Sequence, residues 1–255
     1  SLQDSVGSVV ERVREYLGIP VEVQVEWRDD ERAFKEWRAA VESVGVFVFK
    51  RSFDQDNVSG FCVHDDEFPV IMINNSTSFT RQSFTLFHEL GHLLYHVSGI
   101  TTEDTNYAES LQGSDRAIEV ACNRFAAEFL VPHTTFPWHL FQGRFDVRST
   151  VSDVARRYSV SREVVLRRLV DEDIIDRQTY RNYAEEWNRD FRRPEAKSSG
   201  GNYYLTQLSY LGDAFLRLAF TNYHTGRVTL PELADHLRIK ARNIGALEEY
   251  FQRRG

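Results

Sequence analysis

The sequence predicts an α+β fold that is mainly helical and contains a small mixed or antiparallel sheet. Three observations predict it. The first third alternates helical and strand-like periods, two strongly helical segments follow, and everything after them has helical spacing. A chain of 255 residues with 42% hydrophobic content can bury a substantial core, in one large domain or two unequal ones.

Composition excludes several classes of protein. A formal net charge of −7 argues against attraction of the whole molecule to nucleic acid, which requires a basic surface. The chain has no run of about 18 apolar residues and no signal-peptide pattern, so we expect a soluble, cytoplasmic protein. Cys62 and Cys122 are too few for a disulfide framework, and we interpret both as small buried hydrophobic residues.

The elements of the first third follow from their periods. Helical spacing predicts a helix over 1–17, which Gly18 and Pro20 end. The alternation in VEVQVEW (21–27) predicts a half-buried strand, and residues 31–44 return to helical spacing. Three further strands are expected at VFVF (46–49), VSGFCV (58–63) and FPVIMINN (68–75).

Two long helices come next. Hydroxyl side chains at 78–80 can cap free amide groups, so one helix is expected from there to about His96. The polar segment 98–115 predicts an exposed loop. From Asp115, a pattern rich in helix formers predicts a second helix that ends before Pro132.

The remainder is expected to be helical. Residues 151–170 fit two short helices joined at a turn around Ser159, which is helix-turn-helix spacing. A further helix is expected over about 176–190. The segment 192–202 is rich in Pro, Ser and Gly and predicts a linker to a C-terminal helical unit.

The first long helix carries an H-E-x-x-H motif, from His88 to His92. Positions i and i+4 are about 40° apart around a helix and about 6 Å apart along it, so both imidazoles can reach one ion. Glu89 lies beside them, where it can hold a metal-activated water and take its proton. Gly91 leaves room for a neighbouring chain to come close. We therefore predict His88 and His92 as zinc ligands and Glu89 as the catalytic residue.

A catalytic zinc takes three protein ligands and keeps one open position. His96 continues the i+4 series but would lie about 6 Å further along the axis, so we expect it in a supporting or surface role. Glu119, on the second long helix, is the better ligand, and Glu128 is the competing acid. Asn123 follows Glu119 by one turn and can accept the N–H of a ligand imidazole. The alternative interpretation is that no metal binds here and that these residues are incidental histidines and a solvated carboxylate on half-buried helices.

Two segments that contain these residues resemble a known family. FPVIMINNSTSFTRQSFTLFHELGHLLYH, followed by EVACNRFAAEFLVP, is similar to the ImmA/IrrE metallopeptidases over roughly residues 30–175. The resemblance implies a zincin-like fold, one zinc ion per chain and Glu119 as the third ligand. Members of this family resemble gluzincins in the active site, and this sequence has Asn123 where gluzincins carry Asp. It also implies cleavage of an Xre-type helix-turn-helix repressor, which would derepress stress-response or mobile-element genes.

We predict three parts in the chain. A zincin-like metallopeptidase domain covers 1–145, a helix-turn-helix-like adjunct covers 146–191, and a linker with a C-terminal helical domain covers 192–255. Residues 200–220 resemble an extension found in longer family members, some of which carry an Xre-type DNA-binding domain ahead of the peptidase. If such a domain precedes Ser1, the natural protein would bind DNA itself.

An alternative function remains open. Residues 147–170 hold six arginines against Asp153 and Glu163, a local charge of +4, which permits DNA contact. On this alternative, the chain is a transcriptional regulator or partner-binding module with a regulatory or vestigial metal site.

For substrate binding, we expect FPVIMINN to form an edge strand to which an extended peptide adds. Several side chains are candidates for stabilising the oxyanion, and the sequence does not choose among them. They are Arg81, His64, Tyr95, Tyr107 and His133.

Overall fold

The structure is a computed structural model that describes residues 5–53, 58–102, 112–190 and 202–253. It has the predicted α+β class, with helices packed around one small sheet. The elements up to the second long helix are α1 (Val6–Leu17), α2 (Val21–Trp27), α3 (Asp30–Ser43), β1 (Phe47–Arg51), β2 (Val58–Val63), β3 (Val70–Asn74), α4 (Phe79–Leu94), β4 (Gly99–Thr102) and α5 (Gly113–Leu130).

The remaining described elements are helical, as expected. Short 3-10 helices at His133–Thr135 and Trp138–Phe141 follow α5, and another lies at Ala241–Asn243. The α-helices are α6 (Val147–Tyr158), α7 (Arg162–Asp171), α8 (Arg177–Asp190), α9 (Tyr203–Leu211), α10 (Asp213–His224), α11 (Leu230–Leu237) and α12 (Ile244–Gln252). Among the described helices, none is both long enough and apolar enough to cross a membrane.

The prediction of a strand at VEVQVEW was wrong, because this segment is helix α2. Gln24 would lie on the polar face of a strand, yet it is fully buried. Its amide donates to the carbonyls of Leu130 (2.8 Å) and Tyr158 (3.0 Å). These distant contacts favour the conformation that points Gln24 inward and override the strand propensity of the valines.

The sheet has strand order β1-β3-β2-β4. β1 runs parallel to β3, and β2 runs antiparallel to both β3 and β4. The prediction that FPVIMINN forms an edge strand was therefore wrong, because β3 pairs on both sides and its Ile71 and Ile73 are fully buried. Its unbroken apolar run fits this central position.

The prediction of an exposed loop over 98–115 was wrong at both ends. Gly99–Thr102 pairs with β2 as strand β4, and α5 begins at Gly113. Backbone pairing with β2 satisfies the amides of this polar segment, which sequence polarity alone does not reveal. Residues 103–111 of the predicted loop lie outside the described residues.

A buried aromatic cluster holds α3, α4 and α5 together. Trp37, Phe87 and Phe129 come one from each helix, and none of them is exposed. The ring of Phe87 stacks on Phe129 at 4.0 Å, and Trp37 meets their edges at 5.0 and 5.4 Å. Aromatic contacts of this kind are worth about 0.5–1.5 kcal/mol each beyond the area they bury. They fix the crossing of α4 and α5.

The core that contains this cluster extends through α6, α7 and α8, so the predicted parts 1–145 and 146–191 share it. Helices α9 to α12 surround a second, smaller core. This C-terminal unit lies against the sheet at β1, where Phe215 packs on Phe47 (6.3 Å) and Phe49 (5.1 Å). The outer side of β1 is therefore covered by α9 and α10.

A buried ion pair joins the C-terminal unit to the rest of the protein. Arg38 and Glu42, one turn apart on α3, are in contact at 3.0 Å. Arg38 also donates to the carbonyl of Ser209 at 2.6 Å. The Glu42 carboxylate accepts from the amides of Asp213 (3.2 Å) and Ala214 (3.3 Å), the free donors at the start of α10. We call this set the Glu42 cap.

We expect Gly212→Ala to destabilise the protein through the Glu42 cap. Gly212 has φ +81°, and a Cβ there would overlap Glu42 Oε1 and lie 2.5 Å from Arg38 Nη2. With ψ 153°, this backbone conformation is essentially restricted to glycine and costs an alanine about 1–3 kcal/mol, and disturbing a buried pair adds to that. Thermal and denaturant unfolding should show a loss above about 2 kcal/mol.

Gly226→Ala is the matched control, because Gly226 has φ +71° in the same unit and nothing within 4 Å of the added Cβ. It should lose only the backbone contribution. Equal losses in the two variants would contradict a stabilising role for the Glu42 cap.

Candidate metal centre

Helices α4 and α5 bring His88, His92 and Glu119 together. The two Nε2 atoms are 3.1 Å apart, and the Glu119 carboxylate lies 3.3 Å from His88 Nε2 and 3.1 Å from His92 Nε2. The two histidines are buried, and Glu119 is 9% exposed. Among the described residues, this is the only group of three His, Cys, Asp or Glu side chains close enough to share an ion. We call it the HHE triad.

Gly91 permits the convergence of the two helices. A Cβ at Gly91 would lie 3.3 Å from the Cα of Cys122 and 3.2 Å from its Sγ. The missing side chain thus lets the backbone of α5 approach α4 closely. Glu119 precedes Cys122 by about one turn, so the same approach carries its carboxylate to the histidines. The neighbouring chain expected at Gly91 is helix α5.

The hydrogen bonds of the HHE triad suit a cation. Asn123 Oδ1 lies 3.0 Å from His88 Nδ1, and an amide oxygen only accepts, so Nδ1 carries the proton and Nε2 presents a lone pair. That lone pair faces His92 Nε2 and the Glu119 carboxylate. In the absence of an ion, one proton on His92 Nε2 can form a hydrogen bond in only one of the three contacts within the triad. A divalent ion satisfies all of them, and two imidazoles with one carboxylate are a donor set that zinc accepts.

The titration of Glu119 reflects the same histidines. Burial alone would raise the pKa of its carboxyl group. When both imidazoles are protonated, their hydrogen bonds and positive charge outweigh burial and lower the pKa of the Glu119 carboxyl group to about 2. The carboxylate is therefore ionised at neutral pH, as a metal ligand must be.

Glu89 faces the sheet, next to the HHE triad on α4. Its side chain is fully buried and lies close to the Cys62 thiol of β2. Burial, followed by the nearby Glu89 charge, raises the pKa of Cys62, so the thiol keeps its proton. The same thiol lies 3.7 Å from the carbonyl of Val97. The interpretation of Cys62 as only a buried hydrophobic residue missed this contact, which no sequence pattern signals.

Two glycines of the sheet lie directly against α4. A Cβ at Gly99 of β4 would lie 2.7 Å from the His92 ring, and one at Gly60 of β2 would lie 2.5 Å from Thr85 Cγ2 and 3.7 Å from Glu89 Oε1. Strands β2 and β4 are therefore the strands next to the candidate site. No sequence pattern marks either glycine, because their role depends on which strands pair.

The other predicted candidates that the structure describes are not members of the HHE triad. Glu128 pairs with Arg168 at 2.8 Å, so it does not compete with Glu119. Arg81 bonds the Ser59 hydroxyl on β2, and Tyr95, just beyond α4, is partly exposed. His96 is in contact with His64, and His133 is in contact with Glu172. Tyr107 lies outside the described residues.

The arginines of residues 147–170 are largely engaged by neighbouring side chains. Five of the six have a carboxylate or aromatic partner, and three of these lie on α7, the second helix of the helix-turn-helix-like pair. Their partnerships are Arg148 with Glu186, Arg156 with Asp153, Arg168 with Glu128, Arg162 with Trp187 and Arg167 with Tyr180.

Comparisons with known proteins match the chain to a metallopeptidase family. The peptidase M78 family model, described as an IrrE N-terminal-like domain, matches residues 41–170, just over half of the chain. The radiation response metalloprotease IrrE of Deinococcus radiodurans is 29% identical over 108 residues, which are 42% of this chain and 33% of that protein. The chain thus matches about a third of the length of this relative. A Mycobacterium tuberculosis transcriptional regulator superposes with a TM-score of 0.43 at 16% identity, covering 65% of this chain and 46% of that one.

We expect Gly91→Ala to weaken metal binding. The added methyl group meets the backbone of Cys122, so α5 must shift by a few tenths of an ångström and Glu119 moves with it. Metal ligands tolerate deviations of only about 0.2 Å, and a loss of affinity of about tenfold or more is expected. Chelator competition with zinc measures it.

The matched control is Gly7→Ala on α1, where nothing lies within 4 Å of the added Cβ. That change should leave zinc affinity intact and stabilise the helix by about 0.5–1 kcal/mol. Wild-type zinc affinity in Gly91→Ala would show that the contact with Cys122 does not position the site.

Proposed function

The chain belongs to the peptidase M78 family of IrrE N-terminal-like domains, and on that premise we propose that it is a zinc-dependent endopeptidase. This membership confirms the resemblance to ImmA/IrrE metallopeptidases. The observation that carries the proposal is the HHE triad, with two imidazole nitrogens and one carboxylate within 3.3 Å of one another beside the buried Glu89. His88, His92 and Glu119 would hold one zinc ion per chain, as in gluzincins.

Zinc would supply a Lewis acid that polarises the scissile carbonyl and lowers the pKa of the attacking water. The protein's own part is to hold and move protons. Glu89 accepts the proton of the attacking water and returns it to the leaving amine. Asn123 orients the His88 ring through Nδ1, which keeps Nε2 available as a ligand. The Cys62 thiol lies beside the Glu89 carboxylate and helps to keep it in place.

The substrate would bind at the outer edge of β4. Of the two edge strands, β1 is covered by α9 and α10, whereas β4 pairs with β2 on one side and has no second strand among the described residues. Gly99, the first residue of β4, lies against the His92 ring. An extended peptide added to this edge would pass next to the HHE triad. This assignment replaces the β3 edge expected from the sequence.

The substrate class is proposed from the family resemblance. We infer a cytoplasmic enzyme of narrow specificity that cleaves an Xre-type helix-turn-helix repressor and so derepresses stress-response or mobile-element genes. DNA reading by residues 147–170 is not part of the proposal, because five of the six arginines there are already paired or stacked. Among the described contacts, none favours the alternative of a purely regulatory module.

Glu89→Gln should retain zinc and lose cleavage, because an amide cannot accept the proton of the attacking water. The expected fall in kcat is about 100-fold to 10,000-fold. Glu119→Ala should instead release zinc. Metal analysis and cleavage of the repressor encoded beside the gene measure both effects, with the exposed Glu36→Gln as the control.

These outcomes separate the two parts of the proposal. Equal cleavage by wild type and Glu89→Gln would remove Glu89 from the mechanism. An intact repressor in the presence of zinc-loaded wild type would refute the proposed substrate while leaving the metal site untouched.

Cys62→Ala should lower kcat about two- to tenfold with little change in KM, because a weak neutral donor beside Glu89 is worth about 0.5–1.5 kcal/mol. Cys62→Ser should restore most of the activity, since its hydroxyl also donates. Zinc content should be unchanged in both variants. If Cys62→Ala matches wild type, the thiol only fills space beside Glu89.

A further inference from the structure

We propose that His64 and His96 form a second metal site, on the protein surface, for a divalent transition-metal ion such as Zn²⁺, Ni²⁺ or Cu²⁺. This site is separate from the HHE triad and does not depend on peptidase activity. It rests on the geometry of the two imidazoles, on the elements that hold them and on the charge around them.

The two imidazoles have the spacing of cis metal ligands. His64 Nε2 and His96 Nδ1 are 3.0 Å apart, and the ring centroids are 5.0 Å apart. In the HHE triad, the corresponding distances for His88 and His92 are 3.1 and 4.9 Å. Nitrogens at about 2.1 Å from one ion, at right angles or tetrahedral, are about 3.0–3.4 Å apart. The surface pair meets this condition as well as the buried pair does.

Separate elements hold the two histidines in place. His64 directly follows β2, and its backbone amide donates to the Ser98 hydroxyl at 3.0 Å. His96 lies just beyond the end of α4 with φ +57°, a left-handed conformation that a histidine adopts more readily than most side chains. Its backbone position is set by the end of the helix. The ion would therefore meet a largely preformed pair, and little ordering would oppose binding.

The local charge attracts a cation. His64 is followed by three acidic residues, Asp65, Asp66 and Glu67. The carboxylate of Asp65 accepts the amides of Glu67 (2.9 Å) and Phe68 (2.7 Å), which keep it ionised. Among the described residues, no third His, Cys, Asp or Glu is close enough to complete a ligand set with this pair. Water would fill the other positions, so the ion would exchange readily and bind more weakly than at the HHE triad.

Without an ion, the pair holds one shared proton in an N–H···N hydrogen bond. An ion replaces that proton and ties the end of β2 to the segment between α4 and β4. This segment leads directly to Gly99, which lies against His92. Occupancy of the surface site would thus restrain the start of β4 next to the candidate active site.

The test is a Cu²⁺ titration of the zinc-loaded full chain, followed by electron paramagnetic resonance, with zinc content measured before and after. Wild type should bind one Cu²⁺ with a micromolar dissociation constant and a spectrum of two nitrogen ligands, while retaining its zinc. His64→Ala and His96→Ala should each lose this spectrum and still retain one zinc. The control His236→Ala removes an exposed histidine of the C-terminal unit and should behave as wild type.

A second readout does not use copper. Excess Zn²⁺ should raise the Tm of zinc-loaded wild type and of His236→Ala, but not that of His64→Ala or His96→Ala. The proposal is overturned if both single variants keep the copper spectrum, or if wild type binds no ion beyond the first at micromolar concentration.

Discussion

The close contact between α4 and α5 is the constraint on which the rest of the structure depends. Because Gly91 has no side chain, Cys122 of α5 packs directly against the backbone of α4. The stacked rings of Phe87 and Phe129, one turn away on α4 and two turns away on α5, fix the same crossing, and Trp37 packs it against α3. Metal ligands need sub-ångström placement, so the positions of the ligand side chains depend on this apolar contact between the two helices.

The sheet contributes to the site in a different way. β2 and β4 reach α4 through Gly60 and Gly99, whose missing side chains let the strands lie almost on the helix. Glu89 therefore lies against the sheet, and the His92 ring lies between Gly99 of β4 and Glu119 of α5. One helix thus places the proton-transfer group beside the metal-binding groups, between the sheet and α5. The sheet offers a thiol, and α5 offers a carboxylate and an amide.

The parts of the site that follow from helical periodicity could be predicted from the sequence. His88, His92, Glu119 and Asn123 lie on two helices, and each pair is one turn apart, so local spacing places them on common faces. The structure brings these four side chains together, and the α+β class is confirmed. Strand order, the role of Cys62 and helix α2 depend on contacts distant in sequence, such as those of Gln24 with Leu130 and Tyr158. Local pattern carries no information about such partners.

The Glu42 cap has a consequence for shortened versions of this protein. A chain that stops before residue 202 would keep the Arg38–Glu42 pair but lose the amides of Asp213 and Ala214 and the carbonyl of Ser209. It would also expose the side of Phe47 and Phe49 on which Phe215 packs. Exposed apolar patches promote self-association. We therefore expect a stable unit for expression to extend beyond the family domain and to include the C-terminal helices.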